Sequence, residues 1–350
     1  MRILSIETSC DETGVAIVED GRRIIANVVA SQTAHQVTGG IVPEVAAREH
    51  LRALDPIEQQ ALRDAGMELR QVDAIAATVG PGLIGALLVG ANYGRGLALA
   101  SSLPFVGVNH LEGHVYANWL YEDGAVGGPR GTTTGGLGPP RTPQTPEPEL
   151  PAVVLVVSGA HSDLVLMEGH RRFRLLGRTI DDAAGEAFDK VARLLGLGFP
   201  GGPEIERAAR GGDPKAYPLP KAWLADRYDF SFSGLKTAVL RLVRTLEAAG
   251  DVPVADVAAS FQRAITEALA EKTARAAAEH GVRSVLLGGG VAANLPLREE
   301  IRRRIAVPLH VPPPRLCTDN GAMIGAAAFF SLRHRTTEIP SLVRSNMPLA

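Results

Sequence analysis

Arg2-Ile3-Leu4-Ser5-Ile6-Glu7-Thr8-Ser9-Cys10-Asp11-Glu12-Thr13-Gly14-Val15-Ala16-Ile17-Val18-Glu19 reads as a β-hairpin: a strand to Ser9, a polar turn over Cys10–Thr13, and a returning strand from Gly14. The same figure recurs later in the chain. Pro151 to Val157, the turn Ser158-Gly159-Ala160-His161 and Ser162 to Met167 form a second hairpin, and a third strand follows each, Arg23 to Ala30 and Arg172 to Leu176. Beyond the first, the periodicity predicts a helix over Val45–Ala65, a strand over Val72–Thr78, a helix over Leu83–Ala100 and a strand over Pro104–Val108. Beyond the second it predicts a helix over Val254–His280, a strand over Ser284–Leu287, a helix over Leu295–Ile305 and a strand over Val307–Val311. Each half therefore runs β-β-β-α-β-α-β. Such a repeat predicts an α/β protein with a duplicated domain, the twins facing each other across a cleft. The segment Asp181 to Gly250 is extra to the second half and is expected near the cleft mouth.

A chain of 350 residues and 36.9 kDa, with 45% hydrophobic residues, has material for two domains with ordinary cores. Residues 123–150 hold seven Gly and six Pro among 28 positions, which reads as a linker or surface loop between residues 1–122 and 151–350. A net charge of −2 excludes a strongly basic nucleic-acid coat, so contact with RNA must be local or shared with a partner. Cys10 and Cys317 lie far apart without CxxC spacing, which argues against a disulfide framework and for a reducing cytoplasm. Residues 1–20 carry acids and alternate, unlike a signal peptide, and no apolar run is long enough for a membrane span.

His110-Leu111-Glu112-Gly113-His114 follows the apolar run Phe105 to Val108. Imidazoles four residues apart on a helix share a face and can grip one metal ion; the plainer reading is that they cap or solvate the helix. Asp319, in Cys317-Thr318-Asp319-Asn320-Gly321-Ala322, follows the last strand as His110 follows its counterpart. It can complete a two-histidine, one-carboxylate set of the kind that holds Fe(II) or Zn(II) with positions open for substrate. Its alternative role is N-cap of a helix through Met323–Leu332.

Gly288-Gly289-Gly290-Val291-Ala292-Ala293-Asn294 joins a buried strand to a helix that Asn294 can cap, and lets backbone amides approach an anion or a sugar edge. No Gly-Lys-Ser/Thr follows, so this is not a Walker loop. The hairpin turns, with Ser9, Thr13, Ser158 and Gly159, are candidates to hold a phosphate between them, together with Gly289 and Gly290.

These residues, with Gly39-Gly40-Ile41-Val42-Pro43-Glu44, Gly80-Pro81-Gly82, Asp181-Asp182-Ala183-Ala184-Gly185-Glu186-Ala187-Phe188-Asp189-Lys190, Pro200-Gly201-Gly202-Pro203 and Ser231-Phe232-Ser233-Gly234-Leu235-Lys236, resemble the tRNA adenosine threonylcarbamoyltransferase family, once labelled glycoproteases. The resemblance spans nearly everything outside 123–150. It implies an actin-like, Hsp70-like, sugar-kinase-like duplicated fold with two lobes around a nucleotide cleft, and a last helix able to pack back on the first lobe. It implies transfer of a threonylcarbamoyl group from threonylcarbamoyl-AMP to the exocyclic amine of the adenine beside the anticodon, in tRNAs that read codons beginning with adenine. The implied metal, Fe(II) or Zn(II), falls on His110, His114 and Asp319. Nucleotide and substrate contacts fall on Val156, Val157, Ser158, Gly159, Ala160, Asp189, Gly202 and Asn294, and the acidic pair near the reacting centre on Asp11 and Glu12. The implied partners are tRNA, an inactive paralogous subunit, a small P-loop ATPase and the synthase that makes the adenylate, all in the cytoplasm. Where the family has a second glycine, this chain has Ala160, which is strained if that position needs a positive φ.

Two other activities suit parts of this pattern. A metalloprotease needs its acid beside the first ligand, whereas Glu112 is two residues from each histidine and points roughly 200° round the helix from His110. A small-molecule kinase accounts for the turns and Asp11 but leaves the histidine pair without a role. A nucleotide-gated scaffold is the non-enzymatic option. Arg171, Arg172, Arg174 and Lys236 are candidate contacts to tRNA phosphates.

Overall fold

The computed structural model describes residues 1–32, 41–122, 146–221, 228–334 and 342–349. The linker expectation at 123–150 falls outside them as far as residue 145, as does the Gly39-Gly40 part of its motif.

The chain forms two units, Met1–Pro148 with Gly169–Arg172 and Pro312–Ala350, and Glu149–Glu168 with Phe173–Val311. Each contains a five-stranded mixed sheet. In the first the order is β3-β2-β1-β4-β5, from β1 (Arg2–Glu7), β2 (Glu12–Glu19), β3 (Arg23–Ser31), β4 (Ala74–Gly80) and β5 (Phe105–Asn109). β1 pairs antiparallel with β2, Arg2 opposite Glu19, and parallel with β4, Ile3 opposite Ala74. In the second the order is β10-β9-β6-β7-β8, from β6 (Ala152–Val157), β7 (Ser162–Gly169), β8 (Arg172–Arg178), β9 (Ser284–Gly288) and β10 (Leu309–His310). The two orders are the same once the second is renumbered, which is the duplication that the paired hairpins predict. β10 is shorter than expected and begins later.

Strand alternation decides what the first sheet presents to each side. Leu4 and Ile6 of β1 and Ile75 and Ala77 of β4 point to the face covered by α1 (Pro43–Ala65) and α2 (Ile84–Ser101), in one core with Leu54, Ile57 and Ala61. Ser5 and Glu7 of β1 and Thr78 of β4 therefore point to the opposite face. There lie α3 (His110–Tyr116) and, after the short α9 (Pro314–Cys317), the almost wholly buried α10 (Gly321–Arg333). Ser5 Oγ donates to the Gly321 carbonyl at 2.7 Å, which ties the start of α10 to the middle of the sheet. Gly321 is needed for that approach, because a Cβ there would stand 2.6 Å from the Ala16 amide nitrogen.

In the second unit β6 is buried along its whole length, as expected of an apolar strand with neighbours on both sides. The insertion forms α4 (Ala184–Leu194), α5 (Gly201–Ala209) and α6 (Ser233–Ala249), followed by the long α7 (Val254–Glu279) and by α8 (Leu295–Arg304).

Candidate metal centre, acidic turn and nucleotide loops

α3 starts where β5 ends, and Asn109 caps it by accepting the Leu111 N–H on Oδ1 at 2.8 Å. Neither histidine is the cap. One helical turn sets the His110 and His114 rings edge to face, centroids 4.7 Å apart, with His110 7% and His114 1% exposed. At α10 the cap is Asn320, whose Oδ1 accepts the Met323 N–H at 3.1 Å. This corrects the capping alternative for Asp319. Its Oδ1 lies 3.5 Å from His110 Nε2 and 3.2 Å from His114 Nε2. The carboxylate thus reaches the histidines from the carboxy-terminal segment of the same unit.

The three side chains fit a metal ion on their own chemistry. One ligand atom from each lies within 4.8 Å of the others. Donors at about 2.0–2.1 Å from a tetrahedral ion stand roughly 3.3–3.4 Å apart, close to the spacing from Asp319 to each histidine. Neither buried nitrogen of His114 makes a hydrogen bond, and a buried acceptor left so costs about 1–3 kcal/mol, a cost that an ion on the Nε2 lone pair, next to Asp319, would remove. His110 is held differently. Its Nδ1 faces Glu7 Oε2 at 3.0 Å and Ser9 Oγ at 3.1 Å. Burial opposes its protonation, but Asp319 and Glu7 outweigh that and push its pKa up to about 9 in the metal-free chain.

The acidic turn adjoins this centre electrostatically. Glu12 Oε1 accepts the Ser31 hydroxyl at 3.0 Å. Burial, then the charges of Asp11 and Asp319, hold the Glu12 carboxyl above the usual carboxylate range, against that hydrogen bond. The Cys10 thiol is pushed up as well, first by burial and then by the Asp319 charge, which disqualifies it as a thiolate nucleophile. The turn is clamped by His50 of α1, whose Nδ1 meets Thr13 Oγ1 at 2.8 Å and whose Nε2 meets the Cys10 carbonyl at 2.9 Å. The Thr13 and Ser9 hydroxyls are thus buried and engaged by His50 and His110, which leaves the backbone N–H groups of the turn as the expected phosphate donors.

In the second unit the expected nucleotide residues form a chain of close approaches. A Cβ on Gly289, at φ +88°, would collide with the Val157 carbonyl; one on Gly185 would stand 2.5 Å from the Ser158 carbonyl; one on Gly201 would stand 2.5 Å from Asp189 Cα. Asp189 Oδ1 accepts the Gly201 N–H at 2.7 Å, at the start of α5 beside Gly202. Asn294 caps α8 through Leu297 and donates to Glu206 and Gln262, each at 3.0 Å. The turn closes with Ser158 Oγ accepting the His161 N–H at 3.2 Å, and nothing stands within 4 Å of a Cβ built on Gly159, Gly202 or Gly290. The only non-glycine residues with positive φ among those described are Asp20, Ser102 and Arg171, so Ala160 carries no such strain.

Glu112 is buried and faces Arg171, its Oε2 3.4 Å from the guanidinium Nε. This removes it as a zinc-protease base, and it removes Arg171, 4% exposed, as a phosphate contact. Lys236 is paired with Asp182 at 2.5 Å and Arg174 with Glu168 at 3.7 Å. Sequence reasoning missed Glu7 and His50. The signal for Glu7 is an acid that ends a strand with Ile3, Leu4 and Ile6, on the face it shares with Ser5.

Comparison with solved structures places the fold in the duplicated actin-like, Hsp70-like and sugar-kinase-like class. Component A of (R)-2-hydroxyglutaryl-CoA dehydratase from Acidaminococcus fermentans superposes with a TM-score of 0.51 at 15% identity, over 95% of this chain and 100% of that one. HypF from T. kodakarensis gives 0.57 at 15% identity, over 95% of this chain and 48% of that one. Within that class, the sequence description of tRNA N6-adenosine threonylcarbamoyltransferase matches residues 23–129 and 140–326, and the chain belongs to that family. It is 50% identical to the enzyme of that name from Thermomicrobium roseum, over 100% of this chain and 97% of that protein. It is 53% identical to the one from Symbiobacterium thermophilum, over 95% and 92%, and 47% identical to the one from Bacillus subtilis, over 93% and 89%. The chain is accordingly a tRNA-modifying transferase that forms threonylcarbamoyladenosine.

Proposed function

We propose that the donor is threonylcarbamoyl-AMP, that the acceptor is the adenine beside the anticodon of tRNAs reading codons that begin with adenine, and that the reaction depends on one divalent ion, Fe(II) or Zn(II). His110, His114 and Asp319 would hold the ion. The observation behind this is the unpartnered buried His114 beside Asp319 and His110. When bound, the ion supplies Lewis-acid polarisation of threonylcarbamoyl oxygens.

The remaining work falls to the chain's own residues. The Ser158–Ala160 turn, Gly202, Gly289 and Gly290 offer backbone to the adenylate, with Asp189 and Asn294 as polar neighbours and Val156 and Val157 as the strand beneath. Glu12 takes the proton from the exocyclic amine as the new C–N bond forms, with Asp11 tuning its charge state; general-base catalysis of this kind contributes about 10²–10⁴-fold. The AMP leaves with the electrons of the broken C–O bond.

The partners proposed are the inactive paralogous subunit, the P-loop ATPase and the upstream synthase. The apolar face of α1 and α2 suits the first of these: Leu51 is 67% and Leu88 43% exposed, over a groove that Leu54 and Tyr93 also line. No helix among the described residues is long and apolar enough to cross a membrane. A tRNA substrate makes the cytoplasm the proposed place of work.

The test is a reconstituted transfer with threonylcarbamoyl-AMP, unmodified tRNA and the partner proteins, read by nucleoside mass, alongside metal content by elemental analysis. Asp319→Ala is expected to lose the ion and at least about 10² in rate, and Glu12→Gln to keep the ion and lose rate within the general-base range. A metal-free Asp319→Ala that transfers at the wild-type rate would overturn metal dependence. An unchanged rate for Glu12→Gln at saturating substrate would remove the base assignment.

A further inference from the structure

The Glu7 carboxylate has no place in the transfer described above, yet it is fully buried at the end of a core strand and surrounded by donors. Its Oε1 accepts the Ser9 N–H. Its Oε2 accepts the Thr78 hydroxyl at 2.7 Å and faces His110 Nδ1 at 3.0 Å. A carboxylate accepts and does not donate, so the imidazole nitrogen beside it must carry the hydrogen. A neutral imidazole with hydrogen on Nδ1 has its lone pair on Nε2, and Nε2 is the nitrogen that looks toward Asp319. The Ser9 hydroxyl at 3.1 Å from the same Nδ1 is itself tied to Glu7 through the Ser9 backbone, so it follows the carboxylate.

We infer that Glu7 is a positioning residue for the metal centre: it holds the hydrogen on Nδ1 and the ring orientation of His110, so that Nε2 is the nitrogen turned toward an ion. The inference rests on the His110–His114–Asp319 reading and deepens it. Outer carboxylates of this kind typically contribute about 10–100-fold to metal affinity. The asymmetry between the two histidines supports the assignment. His114 Nδ1 has no such carboxylate behind it and makes no hydrogen bond, so apart from Asp319 beside Nε2 this ring is steered by packing, as part of buried α3 against α10, where a Cβ on Gly113 would stand 2.9 Å from Ile324 Cδ1. His110 is steered by a charge.

The test is zinc affinity of the full chain by competition with a chromophoric chelator, for wild type, Glu7→Gln and Thr78→Val, together with the visible spectrum of the Co(II)-loaded proteins. Glu7→Gln is expected to bind zinc about 10–100-fold more weakly and to shift the Co(II) bands. Thr78→Val, which removes another partner of the same carboxylate but leaves the contact to His110, is expected to stay within threefold of wild type. A folded Glu7→Gln with wild-type zinc affinity and spectrum overturns the inference, as does Thr78→Val weakening zinc as much as Glu7→Gln, which would make Glu7 a structural acid only. If Glu7→Gln does not fold, the nitrogen resonances of histidine-labelled wild type decide: hydrogen on His110 Nδ1 with zinc on Nε2 upholds the inference, and the reverse ends it. Loss of zinc binding in none of His110→Ala, His114→Ala and Asp319→Ala would instead show that the metal reading itself fails.

Discussion

At the scale of single residues, the proposed metal centre sets protons and an ion in competition for one lone pair. In the metal-free chain His110 is held protonated up to about pH 9, because Asp319 and Glu7 overcome the burial that opposes its charge. An ion needs the neutral imidazole, so below that pKa binding must expel one proton from His110. The sign follows: affinity rises as pH rises, by about tenfold per unit for each proton displaced, and levels off above the pKa. Zinc dissociation constants measured between pH 6 and 8 should fall steadily with pH in wild type. A flat profile would mean that His110 is not a ligand. Glu112, in contrast, meets Arg171 within the same helix's surroundings, and burial rather than the metal centre dominates its raised carboxyl pKa.

At the scale of elements, the position of Asp319 depends on how closely α10 approaches the sheet. Ser5 of β1 holds the Gly321 carbonyl, and Gly14 and Gly321 meet backbone to backbone, a Cβ on Gly14 falling 2.7 Å from the Gly321 nitrogen. Backbone cannot yield as a flexible side chain can. Gly321→Ala should therefore displace the first turn of α10 and move Asp319 off the histidines, although it touches no ligand. The expected result is weaker zinc binding, by about tenfold or more on the precedent of disturbed outer shells, with a destabilisation of about 1–3 kcal/mol from overpacking. Zinc competition and urea melts read the two effects separately. Unchanged zinc affinity would show that the approach of α10 does not set the site.

At the scale of the whole molecule, a net charge of −2 and paired basic side chains such as Lys236 give little electrostatic attraction for RNA, which is consistent with a shared binding surface. On the proposed reading, the exposed leucines on α1 and α2 are where the paralogous subunit docks. Leu51→Glu combined with Leu88→Glu should leave melting and metal content near wild type, since both side chains are solvent-exposed, and should abolish association with the paralogous subunit in sedimentation experiments. Association that survives both charges would place the partner elsewhere.

Much of this architecture is written in local pattern. The two hairpins, the shared β-β-β-α-β-α-β order, Asn294 as a cap and the choice of three side chains able to hold a metal all follow from alternation, helical spacing and side-chain chemistry, which act over a few residues. Tertiary structure alone decided which groups those donors meet. It brought Asp319 into the first unit, gave the cap of α10 to Asn320, turned Ser9 and Thr13 inward to histidines, and set Glu7 behind His110. Each of these joins residues distant in the chain. The reason is that a strand's periodicity says which face a side chain points to, but only the packing of helices on that face says what it will find there.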